Sequence, residues 1–169
     1  MHSVRVGIVG ASGYSGVEAT RILANHPQVE LCLLTSDKWA GQKVSERLGF
    51  DGPVGALAYT PQADALELAS GLDVVLLATP AGVSLELAPH LLELGPKVID
   101  LSGAFRLKDA SQYPTFYGFA HDVPGWLQSA VYGLPEFFGD RLKGARLVAN
   151  RRRCRWRPSS RRTCSSRAR

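Results

Sequence analysis

The chain has 169 residues, 45% hydrophobic and 21% charged, with 20 basic and 15 acidic residues and a net charge of +5. That length suits about one domain with a sizeable core, and no apolar run approaches the roughly 18 residues of a transmembrane helix. The basic balance, which alone would suggest a nucleic-acid partner, belongs to one end: nine arginines fall between Arg151 and Arg169, so the first 150 residues carry eleven basic against fifteen acidic, a net of −4.

Val4 to Val9 (VRVGIV) is a β-branched apolar run, predicting a buried strand of a parallel sheet. MHSVR leads straight into it, so no secretory signal is expected. A glycine-rich turn follows, then VEATRILANH, with Val17, Ile22 and Leu23 near helical spacing and Pro27 beyond its end. Val29 to Leu34 (VELCLL) closes a first β-α-β unit, and Cys32 within it reads as a small core residue. Ala63 to Ser70 predicts a helix, Asp73 to Ala78 a strand, Gly82 to Leu94 a helix and Lys97 to Leu101 a strand. Ser102 to Gly139 reads as loop-rich and aromatic, and Ala145 to Ala149 as one further strand. The alternation predicts an α/β fold, a doubly wound, mostly parallel sheet of Rossmann type over residues 1–150. Cys32, Cys154 and Cys164 have neither a disulfide framework nor metal-ligand spacing, so no metal is expected, and a cytoplasmic, reduced setting fits.

Gly10, Gly13 and Gly16 form a G-x-x-G-x-x-G turn between the first strand and first helix. That placement suits a pyrophosphate: a tight turn, close backbone approach and unpaired N–H groups at a helix N-terminus. Gly10, Ser12, Gly13, Tyr14, Ser15 and Gly16 are therefore the candidate cradle. A ribose-binding residue is expected at the end of the second strand. There Ser36 and Lys38 suit a 2′-phosphate and favour NADP, while Asp37 beside them would oppose it. Thr79 and Pro80, after the third strand, could border the cofactor or form a plain connection. Ser102 and Arg106, after the fourth, are the substrate-side candidates; a guanidinium fork suits an acidic or phosphorylated group, though an isolated loop arginine is more often a structural partner.

GASGYSGVEATRILANHPQVEL, LLTSDKWAGQKVSE, DVVLLATPAGVSLELAP, KVIDLSGAFRLKD, YGFAHDVP and AVYGLPE, in this order, resemble N-acetyl-gamma-glutamyl-phosphate reductase, a relative of aspartate-semialdehyde dehydrogenase. The resemblance covers residues 4–150. It implies a cytoplasmic, NADPH-dependent homo-oligomer that reduces N-acetyl-L-glutamyl 5-phosphate to N-acetyl-L-glutamate 5-semialdehyde with release of phosphate, in arginine biosynthesis. A lysine-pathway enzyme acting on a similar acyl phosphate is the close alternative. The family's chemistry uses a cysteine thiolate and a histidine of a second, substrate domain. Its cysteine follows the last strand here in a segment reading roughly A-N-P-G-C-Y. Ala149 and Asn150 fit that pattern, but Arg151, Arg152, Arg153 and Cys154 follow. Cys154 is one position late and lacks the Pro-Gly turn, so no catalytic residue is assigned. Ala104 stands where the family usually has Asp.

Arg151 to Arg169 has no acidic residue and no Val, Ile, Leu, Met or Phe, and is expected to be disordered. Three readings follow. The frame shifts after Asn150, leaving the substrate domain largely missing; the run is a polyanion-binding arm, with Trp156 stacking on a base; or the body is a non-catalytic NADP-binding module. The first is favoured because the change falls inside the cysteine motif, and nucleic acid is not expected as the partner.

Overall fold

The computed structural model describes residues 3–150; Cys154, Trp156, Cys164 and the arginine-rich run lie outside the described residues. Six strands form one sheet: β1 (Val4–Val9), β2 (Val29–Thr35), β3 (Val74–Leu77), β4 (Lys97–Asp100), β5 (Val131–Gly133) and β6 (Leu147–Asn150). Their spatial order is β2-β1-β3-β4-β6-β5 and every pairing is parallel, the doubly wound arrangement predicted above.

The strands are apolar on both faces because helices or loops pack on both. Val9, Leu77 and Val98 face one layer, with Leu91 and Leu92 of α5 (Ala81–Leu94) and the Phe105–Leu127 segment. Ile8, Leu31 and Leu76 face the other, with Leu23 of α1 (Tyr14–Ala24) and Tyr59. Short helices α2 (Val44–Leu48), α3 (Gly52–Ala56) and α4 (Ala65–Leu68) connect β2 to β3.

Several predicted boundaries move. α1 starts at Tyr14, before the periodic residues; the helix expected over Ala63–Ser70 is α4, Ala65–Leu68, after a 3-10 turn; β6 runs Leu147–Asn150 instead of Ala145–Ala149; and β2, β4 and α5 shift by one residue at one end and β3 at both. The segment read as loop-rich holds α6 (Tyr113–Tyr117), α7 (Pro124–Ser129), β5 and α8 (Pro135–Lys143). These helices are too short for a clear 3.6-residue period, and β5 spans only three residues. Cys32 is half-buried rather than fully in the core.

Register fixes the C-terminal edge. Thr35 pairs with Val9, Val9 with Leu77, Leu77 with Asp100 and Asp100 with Ala149. The segments that begin at Ser36, Gly10, Ala78 and Leu101, with Asn150, therefore share one side of the sheet, where ligands bind in open α/β folds.

Candidate functional site

The glycine turn is shaped by packing at two positions and left open at the third. Gly10 has φ +85°, and a Cβ there would meet the Ala78 carbonyl oxygen at 2.8 Å. At Gly16 a Cβ would lie 2.4 Å from the Gly10 carbonyl oxygen, so the start of α1 can approach β1 only without a side chain. Gly13 is different: its φ is −75°, and its nearest neighbour would be 3.5 Å away. Nothing in the chain itself requires a glycine at 13. Gly13 is also the N-cap of α1 and supplies no side-chain cap, which leaves first-turn N–H groups for an anion. The missing Cβ and the uncapped helix suit the close approach of a pyrophosphate, so the residues present fit a dinucleotide.

Ser12 and Ser36 meet. The Ser36 hydroxyl donates to Ser12 Oγ at 2.7 Å and accepts the Trp39 N–H at 3.1 Å. Ser36 is buried, so as placed it ties the glycine turn to the end of β2 rather than offering a free hydroxyl. Asp37 is engaged elsewhere, its Oδ1 accepting the Gln62 N–H at 2.8 Å. That contact occupies one oxygen of the carboxylate that opposed a 2′-phosphate, while Lys38 stays exposed. Thr79 sits behind the glycine turn, its methyl carbon 3.1 Å from the point where a Gly10 Cβ would be. Its hydroxyl pairs inward with Ser84 at 2.8 Å, and Pro80 is exposed.

On the substrate side, Asp100 and Ser102 make two successive tight turns. Asp100 Oδ1 accepts the Ser102 N–H at 2.9 Å, and Ser102 Oγ accepts the Ala104 N–H at 3.0 Å. With Ala104 fully buried, the loop forms without the family's usual Asp. The Ala104 carbonyl is held by His121 Nε2 at 3.0 Å. The Arg106 guanidinium donates from Nε to the Asn150 carbonyl at 3.2 Å, from Nη1 to Tyr117 Oη at 3.1 Å and from Nη2 to the Ser102 carbonyl. All three acceptors are neutral. A guanidinium has five N–H donors, so positive charge and spare donors remain. Tyr117 reaches Arg106 because Gly103 has no side chain; a Cβ there would stand 2.1 Å from the tyrosine ring.

A cleft of about 870 Å³ lies between α1 and Arg106. Tyr14, Ser15, Glu18, Arg106 and Asn150 supply its polar residues, and Ala19, Ile22, Leu23, Leu76 and Leu101 its apolar wall. Tyr14 is 98% exposed. Of the sequence-predicted residues, the structure brings Tyr14, Ser15 and Arg106 into this cleft, links Ser12 to Ser36, and leaves Lys38 and Pro80 on the surface. Sequence reasoning missed Asp100, Tyr117 and His121. An acidic residue at the end of a buried strand was a readable signal for the first; the other two depend on tertiary contacts.

Burial sets the ionisation of these groups. It pushes the Asp100 carboxyl above the usual carboxylate range, against the opposing hydrogen bond from Ser102. It lowers His121, and it carries Tyr113, whose hydroxyl bonds the Leu107 backbone, up to about 12. Among the described residues no group of three or more His, Cys, Asp or Glu could hold a metal ion, and no helix is long and apolar enough to cross a membrane.

The chain is similar to known proteins over nearly all of its described length. A protein of Thiobacillus denitrificans named N-acetyl-gamma-glutamyl-phosphate reductase is 46% identical over 148 residues, covering 87% of this chain and 42% of that protein. The chain thus spans less than half the length of the curated relatives it matches. Among solved structures, a probable aspartate-semialdehyde dehydrogenase from Pseudomonas aeruginosa superposes with a TM-score of 0.60 at 22% identity, over 88% of this chain and 37% of that one. Aspartate semialdehyde dehydrogenase from Candida albicans, solved with NADP, gives 0.50 at 19% identity, over 64% of this chain and 32% of that one. The model for the semialdehyde dehydrogenase NAD-binding domain matches residues 5–145. With that match lying on a parallel doubly wound sheet and its glycine turn, the chain belongs to the semialdehyde dehydrogenase NAD-binding domain family.

Proposed function

We propose that residues 1–150 are the dinucleotide-binding part of an NADPH-dependent acyl-phosphate reductase that forms N-acetyl-L-glutamate 5-semialdehyde from N-acetyl-L-glutamyl 5-phosphate, releasing phosphate. The observation that carries this reading is a cleft shared by Tyr14 and Ser15 of the first turn of α1, next to the glycine turn, and an Arg106 guanidinium bound to neutral acceptors. Relatives at 46% identity bear that reductase name. NADPH supplies the hydride when bound. The chain's own residues bind and orient: Gly13 and the first turn of α1 receive the pyrophosphate, Lys38 the 2′-phosphate, and Arg106 the anionic phosphoryl group of the substrate. Ser12 and Ser36 brace the first two sites against each other. Thr79 backs the glycine turn, and Ser102 shapes the loop that carries Arg106. In the intact family the setting is cytoplasmic and homo-oligomeric, with the acyl phosphate as small-molecule partner.

A second reading, specific to this chain, is that it binds NADPH without turnover. Its support is the sequence after Asn150, where Arg151-Arg152-Arg153 replaces the family's Pro-Gly-Cys. Residues 151–169 are then an out-of-frame extension. The DNA past codon 150 tests this: another frame encoding Pro-Gly-Cys-Tyr and a long α/β sequence supports it, and its absence overturns it.

Fluorescence titration of the full chain with NADPH and with NADH tests the cofactor site. Binding that is tighter for NADPH and weakened in Lys38→Ala is expected; equal affinity for both would refute the 2′-phosphate assignment. Phosphate-dependent reduction of NADP by the semialdehyde should be undetectable, and measurable turnover would overturn the second reading.

A further inference from the structure

Three of the five N–H donors of Arg106 are taken, one on each nitrogen of the guanidinium. Among the described residues, one donor on Nη1 and one on Nη2 remain for a ligand. Two of the acceptors are backbone carbonyls, of Asn150 at the end of β6 and of Ser102 in the arginine's own loop. The third, Tyr117 Oη, belongs to a side chain, that of the last residue of α6. Tyr117 is itself held on several sides. Its ring stacks on that of Tyr113, at the start of the same helix, with centroids 5.3 Å apart and planes 28° from parallel. Phe119 packs against it at 6.1 Å. Tyr113 is fully buried, and its hydroxyl accepts the Leu107 N–H at 3.0 Å. The two tyrosines of α6 therefore grip the residue after Arg106 by its backbone and Arg106 itself by the tip of its side chain. The Tyr117 ring reaches this place because Gly103 leaves room: a Cβ there would lie 2.1 Å from the ring and 2.8 Å from the hydroxyl oxygen.

We infer that Tyr117 is a positioning residue for Arg106: its hydroxyl fixes the plane of the guanidinium and so sets the direction in which the two remaining donors meet an anion. The inference rests on the reading of Arg106 as the phosphoryl-binding side chain, but the hold on the guanidinium belongs to the unliganded chain. A guanidinium is planar, so anchoring all three nitrogens fixes its plane. Without the Tyr117 contact two anchors remain, both backbone carbonyls, and the plane can tilt about the line that joins them. A fork of donors binds an anionic group best when its geometry is set beforehand, because less freedom is then lost on binding. Tyr117 acts through Arg106 and not on the substrate.

The test uses the full chain labelled with ¹⁵N and compares Tyr117→Phe with Gly103→Ala. Tyr117→Phe keeps the ring and its stack on Tyr113 and removes only the hydroxyl; Gly103→Ala keeps the hydroxyl and displaces the ring. The Arg106 Nε–H signal, identified by its loss in Arg106→Lys, reports the hold without any ligand. Its ¹⁵N heteronuclear NOE should fall in both variants, while the Gly10 amide stays at its wild-type position. Titration with inorganic phosphate should show affinity lower by roughly 5-fold or more in Tyr117→Phe, with a melting temperature near that of the wild type. A part in packing alone predicts the reverse, a lower melting temperature with unchanged affinity. An Arg106 Nε–H as rigid in Tyr117→Phe as in the wild type overturns the inference, as does unchanged phosphate affinity or a Gly10 amide displaced along with Arg106. Should Gly103→Ala fail to fold, Tyr117→Phe decides alone, since it introduces no clash. A wild-type chain in which phosphate leaves the Arg106 Nε–H unmoved overturns the functional reading instead, and the NOE still decides whether Tyr117 holds the guanidinium.

Discussion

The glycines of the first turn separate folding from binding. At Gly16 the added Cβ would meet backbone atoms on two sides, the Gly10 oxygen at 2.4 Å and Ala11 Cα at 2.7 Å. Backbone cannot swing aside as a side chain can, so Gly16→Ala should cost about 1–3 kcal/mol of stability, measured by urea denaturation. Gly13→Ser should leave stability within about 0.5 kcal/mol, since serine is a good N-cap and the space is open. It should nevertheless weaken NADPH binding by placing a side chain where the pyrophosphate approaches; unchanged affinity would show that no ligand comes close there. His121 gives a pH prediction of known sign. Its Nδ1 is buried without a partner, and burial holds its pKa below 6.5. The unfolded chain therefore takes up the proton first, so the stabilisation is present above pH 6.5 and is lost as pH falls through the lower folded value. The melting temperature should drop between pH 7 and 5 in the wild type and change less in His121→Gln, which cannot titrate; identical slopes would exclude His121 as the cause.

Among the elements, α7 shows how a loop-rich stretch is organised. The Lys108 ammonium reaches the Leu127, Gln128 and Ala130 carbonyls at 3.2, 3.1 and 2.5 Å, closing the C-terminal end of the helix, where a cation is favoured. Lys108→Met keeps most of the stem but loses the charge, and should lower stability by about 1 kcal/mol with the midpoint of urea unfolding as the readout. The same contacts explain why this segment was not legible beforehand. α6, α7 and α8 each begin with Pro in the first turn, a start signal that was available at Pro114, Pro124 and Pro135. Yet each is short, and what ends and anchors them is remote in sequence. Lys108 lies about twenty residues before the carbonyls it caps, and Tyr113 holds the backbone of Leu107 rather than that of its own helix.

For the whole molecule, the two faces of the sheet are unequally covered. One carries α5 and the aromatic segment, while on the other α1 packs over β1 and β2. Beside α1 the cleft is walled by Leu76, Leu101 and Ile22, the last 67% exposed. An apolar wall of this kind takes up apolar probes. The full chain should therefore bind a fluorescent apolar dye, and Ile22→Lys should reduce that binding while changing stability by no more than about 0.5 kcal/mol. Dye binding unaffected by the substitution would place the exposed apolar surface elsewhere.

The sequence alone determined the alternation of strands and helices, the glycine turn between β1 and α1, and the family resemblance. Those features are local: apolar runs, helical spacing and motif residues a few positions apart carry them. Only the tertiary structure decided that Ser36 braces Ser12, that Asp37 is spent on Gln62, that Arg106 is held by neutral acceptors, and that Asp100 is fully buried. Each of these depends on which strand ends lie side by side. That order, β2-β1-β3-β4-β6-β5, is set by crossovers and burial across the whole sheet, not by any one segment.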